Sequence, residues 1–106
     1  MTKPEINLIN TTDINMDDLT PAMKHFLEVK REHPECLMLY RMGDFYETFF
    51  EDAVLLSKVL ELTLTGREAG AKYGRIPLAG IPAKAVNVYL EKLVQKNIKV
   101  AICDQL

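Results

Sequence analysis

The stretch that decides the fold is residues 37–50, which reads LMLYRMGDFYETFF. It opens with an apolar run of strand length, breaks at Gly43-Asp44 and continues with alternating aromatic and polar residues. Gly tolerates a positive φ and Asp bonds readily to its own backbone, so this dipeptide predicts a turn between two strands. Because a strand points alternate side chains to opposite faces, Phe45 and Glu47 should share one face and Tyr46 should lie on the other.

The shared face of Phe45 and Glu47 supports two interpretations. A flat apolar ring beside a carboxylate, just past a turn, suits stacking on a nucleic-acid base while the carboxylate contacts a polar edge of that base. The other interpretation is an ordinary hairpin whose ring lies in the core, the commoner fate of large apolar side chains. The alternation alone leaves both open.

The residues themselves carry more information than their pattern. Residues 40–47, YRMGDFYE, closely resemble the signature of the N-terminal mismatch-recognition domain of the MutS family of DNA mismatch repair proteins. Four further matches follow the family's order: TP at 20–21, LTLT at 62–65, PLAGIP at 77–82 and VAICDQ at 100–105. We therefore interpret residues 20–106 as such a domain, excised from a longer multidomain protein, and residues 1–19 as a flexible leader.

The resemblance implies a specific role for two residues. In that family the Phe corresponding to Phe45 enters the minor groove and stacks on a mispaired or unpaired base, while the Glu corresponding to Glu47 hydrogen-bonds that base. The implied partner is double-stranded DNA with mismatches or small insertion/deletion loops. This sequence departs from the family at Ala83-Lys84, where Tyr-His or a similar pair is usual, and at Thr48, where Leu is commoner.

The resemblance also implies properties of the parent protein. It should be a cytoplasmic, nucleoid-associated homodimer whose ATPase domain binds ATP and Mg²⁺. The domain alone should be a monomer without a cofactor and without catalytic activity. The alternative is a protein-interaction or regulatory α/β module whose exposed aromatic hairpin meets a partner protein.

The charge distribution is compatible with DNA binding only in one segment. The net charge is −2 and the sequence pI about 5.7, which argues against a general nucleic-acid binder. Residues 66–84, however, hold four basic residues against the single acidic residue Glu68, a net +3. The four basic residues are the predicted DNA-backbone contacts: Arg67, Lys72, Arg75 and Lys84.

Other chemistries find little support in the sequence. The two cysteines and two histidines lack zinc-ligand spacing, no apolar run reaches the length of a membrane span, and we predict neither a metal site nor a membrane partner. The glycines of residues 66–75 do not have the spacing of a phosphate-binding loop. Asp44, Glu47, Glu51 and Asp52 cluster as nuclease carboxylates do, but Glu51 and Asp52 are explained by the start of a helix.

The predicted fold is mixed α/β, a sheet of about five strands packed with three helices. Thr20 and Pro21 should begin a helix that ends at Pro34. The further predicted elements are strands at 36–42, 45–48, 62–65, 76–81 and 99–104, helices at 51–61 and 82–96, and a loop at 66–75. The last strand is continuously apolar and is therefore expected at the centre of the sheet. The predicted buried stripes are Val54, Leu55, Val59 and Leu60 on the second helix, and Val86, Tyr89, Leu90, Leu93 and Val94 on the third.

Overall fold

Residues 5–104 are described by a computed structural model, in which five strands form one mixed sheet with three α-helices. The strands are β1 (Leu37–Met42), β2 (Phe45–Phe49), β3 (Thr65–Glu68), β4 (Arg75–Pro82) and β5 (Val100–Cys103). The helices are α1 (Pro21–Glu32), α2 (Glu51–Leu60) and α3 (Val86–Gln95), and short 3₁₀ turns lie at Thr11–Asp13, Met16–Asp18 and Ala83–Ala85. The predicted mixed α/β class is confirmed.

The strand order is β3-β4-β2-β1-β5. The β3–β4, β4–β2 and β2–β1 pairs are antiparallel, whereas β1 and β5 pair in parallel. The hairpin of β1 and β2 thus lies inside the sheet, with β4 on one side and β5 on the other. Its position within the sheet limits how far its backbone can move.

Helices cover both faces of the sheet, and each face has its own core. On the first face, Phe26 of α1 packs edge-on against the rings of Tyr40 and Phe49. On the second face, buried residues of α2 and α3 meet the sheet: Ala53, Leu56 and Leu93 against Leu37, Leu39, Tyr46, Ala79 and Ile81. We call these the α1 face and the α2–α3 face.

Residues 5–19, in the segment interpreted as a leader, make several contacts with the rest of the domain. The backbone amide of Asn7 donates to the carbonyl of Arg75 at 2.6 Å, and that of Asn15 donates to the Tyr73 hydroxyl at 2.7 Å. Ile14 is buried in the core of the α1 face. The flexibility of the leader stays a prediction, and residues 1–4 lie outside the described residues.

The last strand, β5, lies at an edge of the sheet, so the expectation of a central strand was wrong. Its apolar run has another cause. Val100 packs against the core of the α2–α3 face and Ala101 against that of the α1 face. A continuous apolar strand indicates that both faces are covered, and it does not require neighbouring strands on both edges.

The third strand also differs from the prediction. β3 begins at Thr65 and ends at Glu68. Residues 62–64 are therefore outside the strand, and residues 66–68, predicted as loop, belong to it. Leu62 is instead used to end α2, because its amide donates to the Ser57 carbonyl at 3.0 Å and its carbonyl accepts from the Ser57 hydroxyl at 2.6 Å.

The buried faces of the helices were predicted only in part. In α2, Val54 and Leu55 are exposed, whereas Asp52 is buried because its carboxylate accepts from the amide of Met38 at 3.0 Å and pairs with Lys30 at 3.0 Å. This pair turns a different side of the helix toward the sheet.

In α3, Leu93 is buried but Val94 is exposed. At the start of α1, Thr20 occupies the predicted cap position, but its hydroxyl makes no capping hydrogen bond. Asn97, with φ of 61°, follows the end of α3, and its amide and that of Ile98 donate to carbonyls of the last turn.

Candidate nucleic-acid interface

A two-residue turn joins β1 to β2 and places Phe45 at the end of the sheet. Met42 pairs with Phe45, and Gly43-Asp44 lie between them. Gly43 takes φ of 61°, as the first central residue of a type II′ hairpin turn does. The predicted turn is therefore confirmed, and a residue with a Cβ at position 43 would be strained.

The alternation predicted for β2 is confirmed. The Phe45 side chain is 46% exposed, whereas Tyr46 is 7% exposed and packs in the core of the α2–α3 face. The hydroxyl of Tyr46 donates to Oδ1 of Asp104 at 2.7 Å, just past β5. The buried tyrosine thus fixes the strand that presents the exposed phenylalanine.

Phe45 borders an open cleft of about 650 Å³. Its lining residues are Arg41, Asp44, Phe45, Pro82, Ala83 and Lys84. The amide of Ala83 donates to the carbonyl of Asp44 at 2.8 Å, which ties the turn to the end of β4. The cleft therefore combines an exposed ring with two cationic side chains.

Glu47 lies on the α1 face, two residues from Phe45, and opposes Gly80 of β4. A Cβ at Gly80 would come within 3.3 Å of Cγ of Glu47 and 3.2 Å of the carbonyl oxygen of Tyr46, so the bare glycine leaves room for the glutamate. Burial raises the pKa of the Glu47 carboxyl, and the guanidinium of Arg67 opposes that rise.

The four predicted backbone contacts are not gathered in one place. Lys84 lines the cleft beside Phe45, and Arg67 lies 3.8 Å from Glu47. Arg75 begins β4 and Pro82, the partner of Phe45, ends it, so Arg75 lies about 23 Å away along the strand.

Lys72 and Arg75 also have partners within the domain. Lys72 pairs with Asp18 at 3.2 Å, and Arg75 donates to the Thr65 hydroxyl at 3.3 Å. Both lie in or beside the turn between β3 and β4, away from the cleft.

Arg41 was missed as a site residue. It lines the cleft with Phe45, and its guanidinium lies 5.4 Å from the ring centroid of Tyr46. The signal in the sequence was a single charge in the apolar strand, two residues before the turn glycine. A charged residue in a strand that is otherwise buried on both faces is expected where the helices no longer cover the sheet.

The acidic residues considered for nuclease chemistry do not converge. Glu51 accepts hydrogen bonds from the amide and hydroxyl of Thr11, and Asp52 is buried beside Lys30. Within residues 5–104, no group of three or more His, Cys, Asp or Glu side chains is arranged to hold a metal ion. In the same range, no helix combines the length and apolar character needed to cross a bilayer.

The family model of MutS domain I matches residues 20–106, most of the chain. The chain belongs to the MutS domain I family. The motifs of this MutS domain I meet around the hairpin: residues 77–82 lie in β4 beside β2, and residues 100–103 form β5 beside β1.

Individual relatives agree with the family assignment. A DNA mismatch repair protein MutS of Prochlorococcus marinus, strain SARG, is 56% identical over 93 residues, 88% of this chain and 10% of the relative. One from another strain of that species, NATL2A, is 57% identical over 91 residues, 86% of this chain and 10% of the relative. One from Synechococcus elongatus is 46% identical over 106 residues, 100% of this chain and 12% of the relative. The MutS domain I described here thus spans about a tenth of the length of these relatives.

Proposed function

We propose that this MutS domain I recognises mispaired or unpaired bases in double-stranded DNA. Phe45 enters the minor groove and stacks on the base, and Glu47 hydrogen-bonds it. The observation that carries the proposal is the exposure of Phe45 at the end of a hairpin whose next residue, Tyr46, is buried and hydrogen-bonded. A large apolar ring held outside the core on a fixed strand is available for a ligand.

The energetics of ring insertion favour binding to a mismatched duplex over binding to a fully paired one. Stacking of an aromatic ring on a base is worth about 1–3 kcal/mol and tolerates any base. Inserting the ring between paired bases costs a few kcal/mol of lost stacking. A mismatch has already lost part of that stacking and pairing. Selectivity thus comes mostly from the deformability of the DNA, with little reading of base identity.

The carboxyl of Glu47 contributes a second source of selectivity. Its pKa is already raised by burial, and DNA phosphates raise it further because they disfavour a second negative charge nearby. The neutral acid can donate a hydrogen bond to a base nitrogen. In ordinary duplex, where no base is displaced to accept that bond, the carboxylate is repelled.

The backbone contacts are proposed for Arg67, Lys72, Arg75 and Lys84, with Arg41 added from the structure. Arg41 and Lys84 line the same cleft as Phe45 and would contact phosphates near the inserted ring. Lys72 and Arg75 lie at the other end of β4 and would meet DNA only if its backbone follows that strand. The domain itself binds DNA and is not catalytic.

For the parent protein we propose a cytoplasmic, nucleoid-associated homodimer whose ATPase domain uses ATP and Mg²⁺. The names of the relatives support a role of the parent in DNA mismatch repair, and their far greater length leaves room for further domains.

Glu47→Ala in the parent protein tests the proposed function. Paired duplex should bind as tightly or more tightly, because a charge that repels phosphates is removed. The affinity for mismatched duplex should increase less, or decrease. The ratio of mismatched to paired affinity should therefore fall by about tenfold, which corresponds to the loss of one hydrogen bond to a charged or polar partner. Fluorescence anisotropy with both duplexes measures the ratio.

The pH dependence gives an independent check of the same role. Wild-type affinity for mismatched DNA should rise as the pH falls through the raised pKa of Glu47, and this rise should be absent in Glu47→Ala. If wild type and Glu47→Ala have the same ratio of mismatched to paired affinity at every pH, Glu47 does not take part in recognition.

Lys84→Ala should weaken mismatched and paired duplex alike, since a phosphate contact carries no information about the bases. The slope of log affinity against log salt should decrease by about one charge. Lys96→Ala, at the end of α3 and away from the cleft, is the matched control and should change neither quantity. A selective loss of mismatch binding in Lys84→Ala would contradict a backbone role.

A further inference from the structure

One contact near the hairpin joins residues on strands that are not neighbours. Nη1 of Arg67, on β3, lies 3.8 Å from Oε1 of Glu47, on β2, and β4 runs between the two strands. Arg67 is opposite Ile76 of β4 and Glu47 is opposite Gly80, so the arginine extends diagonally, across β4 and along it, to reach the carboxylate. Gly80 has no side chain to compete for the space beside the Glu47 side chain.

The guanidinium of Arg67 makes a second contact besides the one with Glu47. Its guanidinium carbon lies 5.8 Å from the ring centroid of Phe49, a buried residue of the α1 face. Its side chain is 34% exposed and that of Glu47 is 20% exposed. A partly buried ion pair with one planar partner restricts the carboxylate more than a fully exposed pair does, because less water competes for both charges.

We propose that Arg67 is a positioning residue for Glu47: from the Phe49 side it holds one oxygen of the carboxyl group, which leaves the other oxygen, protonated in the DNA complex, to donate to the displaced base beside Phe45. This inference rests on the proposed function and gives Arg67 a role beyond that of a phosphate contact. A phosphate contact acts equally on all duplexes. A residue that orients Glu47 changes the ratio of mismatched to paired affinity, and only while Glu47 is present.

A double-mutant cycle in the parent protein separates these roles. The variants are Arg67→Gln, Glu47→Ala and the double variant, each titrated with paired and mismatched duplex by anisotropy. We expect Arg67→Gln to lower the ratio of mismatched to paired affinity to near that of Glu47→Ala. The double variant should have the same ratio as Glu47→Ala alone, because the group that Arg67 orients is already gone.

Two further variants keep the cycle interpretable. Arg67→Met keeps an unbranched apolar side chain near Phe49 without the guanidinium, and it should reproduce the ratio of Arg67→Gln even if the glutamine variant is less stable. Lys96→Gln removes one positive charge elsewhere and should leave the ratio unchanged. Thermal unfolding of each variant verifies that it is folded at the temperature of the titration.

Several outcomes would overturn the inference. An unchanged ratio in Arg67→Met, or equal losses of ratio with and without Glu47, shows that Arg67 does not act through Glu47. If Glu47→Ala lowers the ratio while the Arg67 variants do not, only the inference fails. If neither Glu47→Ala nor Phe45→Ala changes the ratio, the proposed function fails and the inference fails with it.

Discussion

Phe45→Ala in the parent protein is expected to erase most of the preference for mismatched over paired duplex. The ring is the part of the hairpin that stacks on a displaced base, and stacking is worth about 1–3 kcal/mol, or roughly 5- to 150-fold in affinity. Paired DNA should lose much less, because the cost of unstacking it largely offsets the stacking gain. Competition between labelled mismatched DNA and unlabelled paired DNA measures the ratio directly.

Val94→Ala is the matched control for this substitution. Val94 is also an exposed apolar residue, but it lies on α3 and lines no part of the cleft. Its loss should leave both affinities unchanged. A Phe45→Ala protein that is folded and keeps the wild-type ratio would favour the alternative function, in which the exposed hairpin meets a partner protein.

Asp52→Ala should lower the free energy of unfolding of this chain by about 3 kcal/mol. The buried carboxylate accepts from the amide of Met38 and pairs with Lys30, so its removal leaves that amide unpaired and leaves the half-buried ammonium group with only the Cys36 carbonyl as a partner. Leaving one member of a buried pair uncompensated costs about 3–5 kcal/mol, and the remaining exposure of Lys30 reduces this. Urea unfolding followed by circular dichroism measures the change.

Glu51→Ala is the control for Asp52, one residue earlier in the chain. Glu51 also accepts two hydrogen bonds, but both come from Thr11 at the surface. Exposed interactions of this kind contribute about 0–1 kcal/mol. Equal destabilisation by the two substitutions would show that the buried pair with Lys30 has no special weight.

The sequence allowed the hairpin and its two faces to be predicted because that information is local. A two-residue turn fixes the register, and the register fixes which side chains share a face. Phe45 outside and Tyr46 inside follow from that alternation alone. The order of the strands is not local, and the apolar run of β5 therefore misled the prediction of a central position.

Side-chain partners separated in sequence were the other source of error. From the sequence, Asp52 is explained as an acidic residue that stabilises the start of a helix. Its burial, however, depends on Lys30 and on the amide of Met38. Residues 66–84 read as one basic segment, yet the β3–β4 hairpin places Arg75 and Lys84 at opposite ends of a strand. Periodicity contains no information about such pairings.

The two hydrogen bonds that anchor the hairpin, from Tyr46 to Asp104 and from Ala83 to Asp44, have a mechanical consequence. When a probe is pressed into a material, the softer of the two yields. A hairpin tied on both sides is the harder partner, so the strain of insertion falls on the DNA. The preference of the domain among mismatches should then follow the local bending stiffness of the DNA more closely than the chemical identity of the mispaired bases.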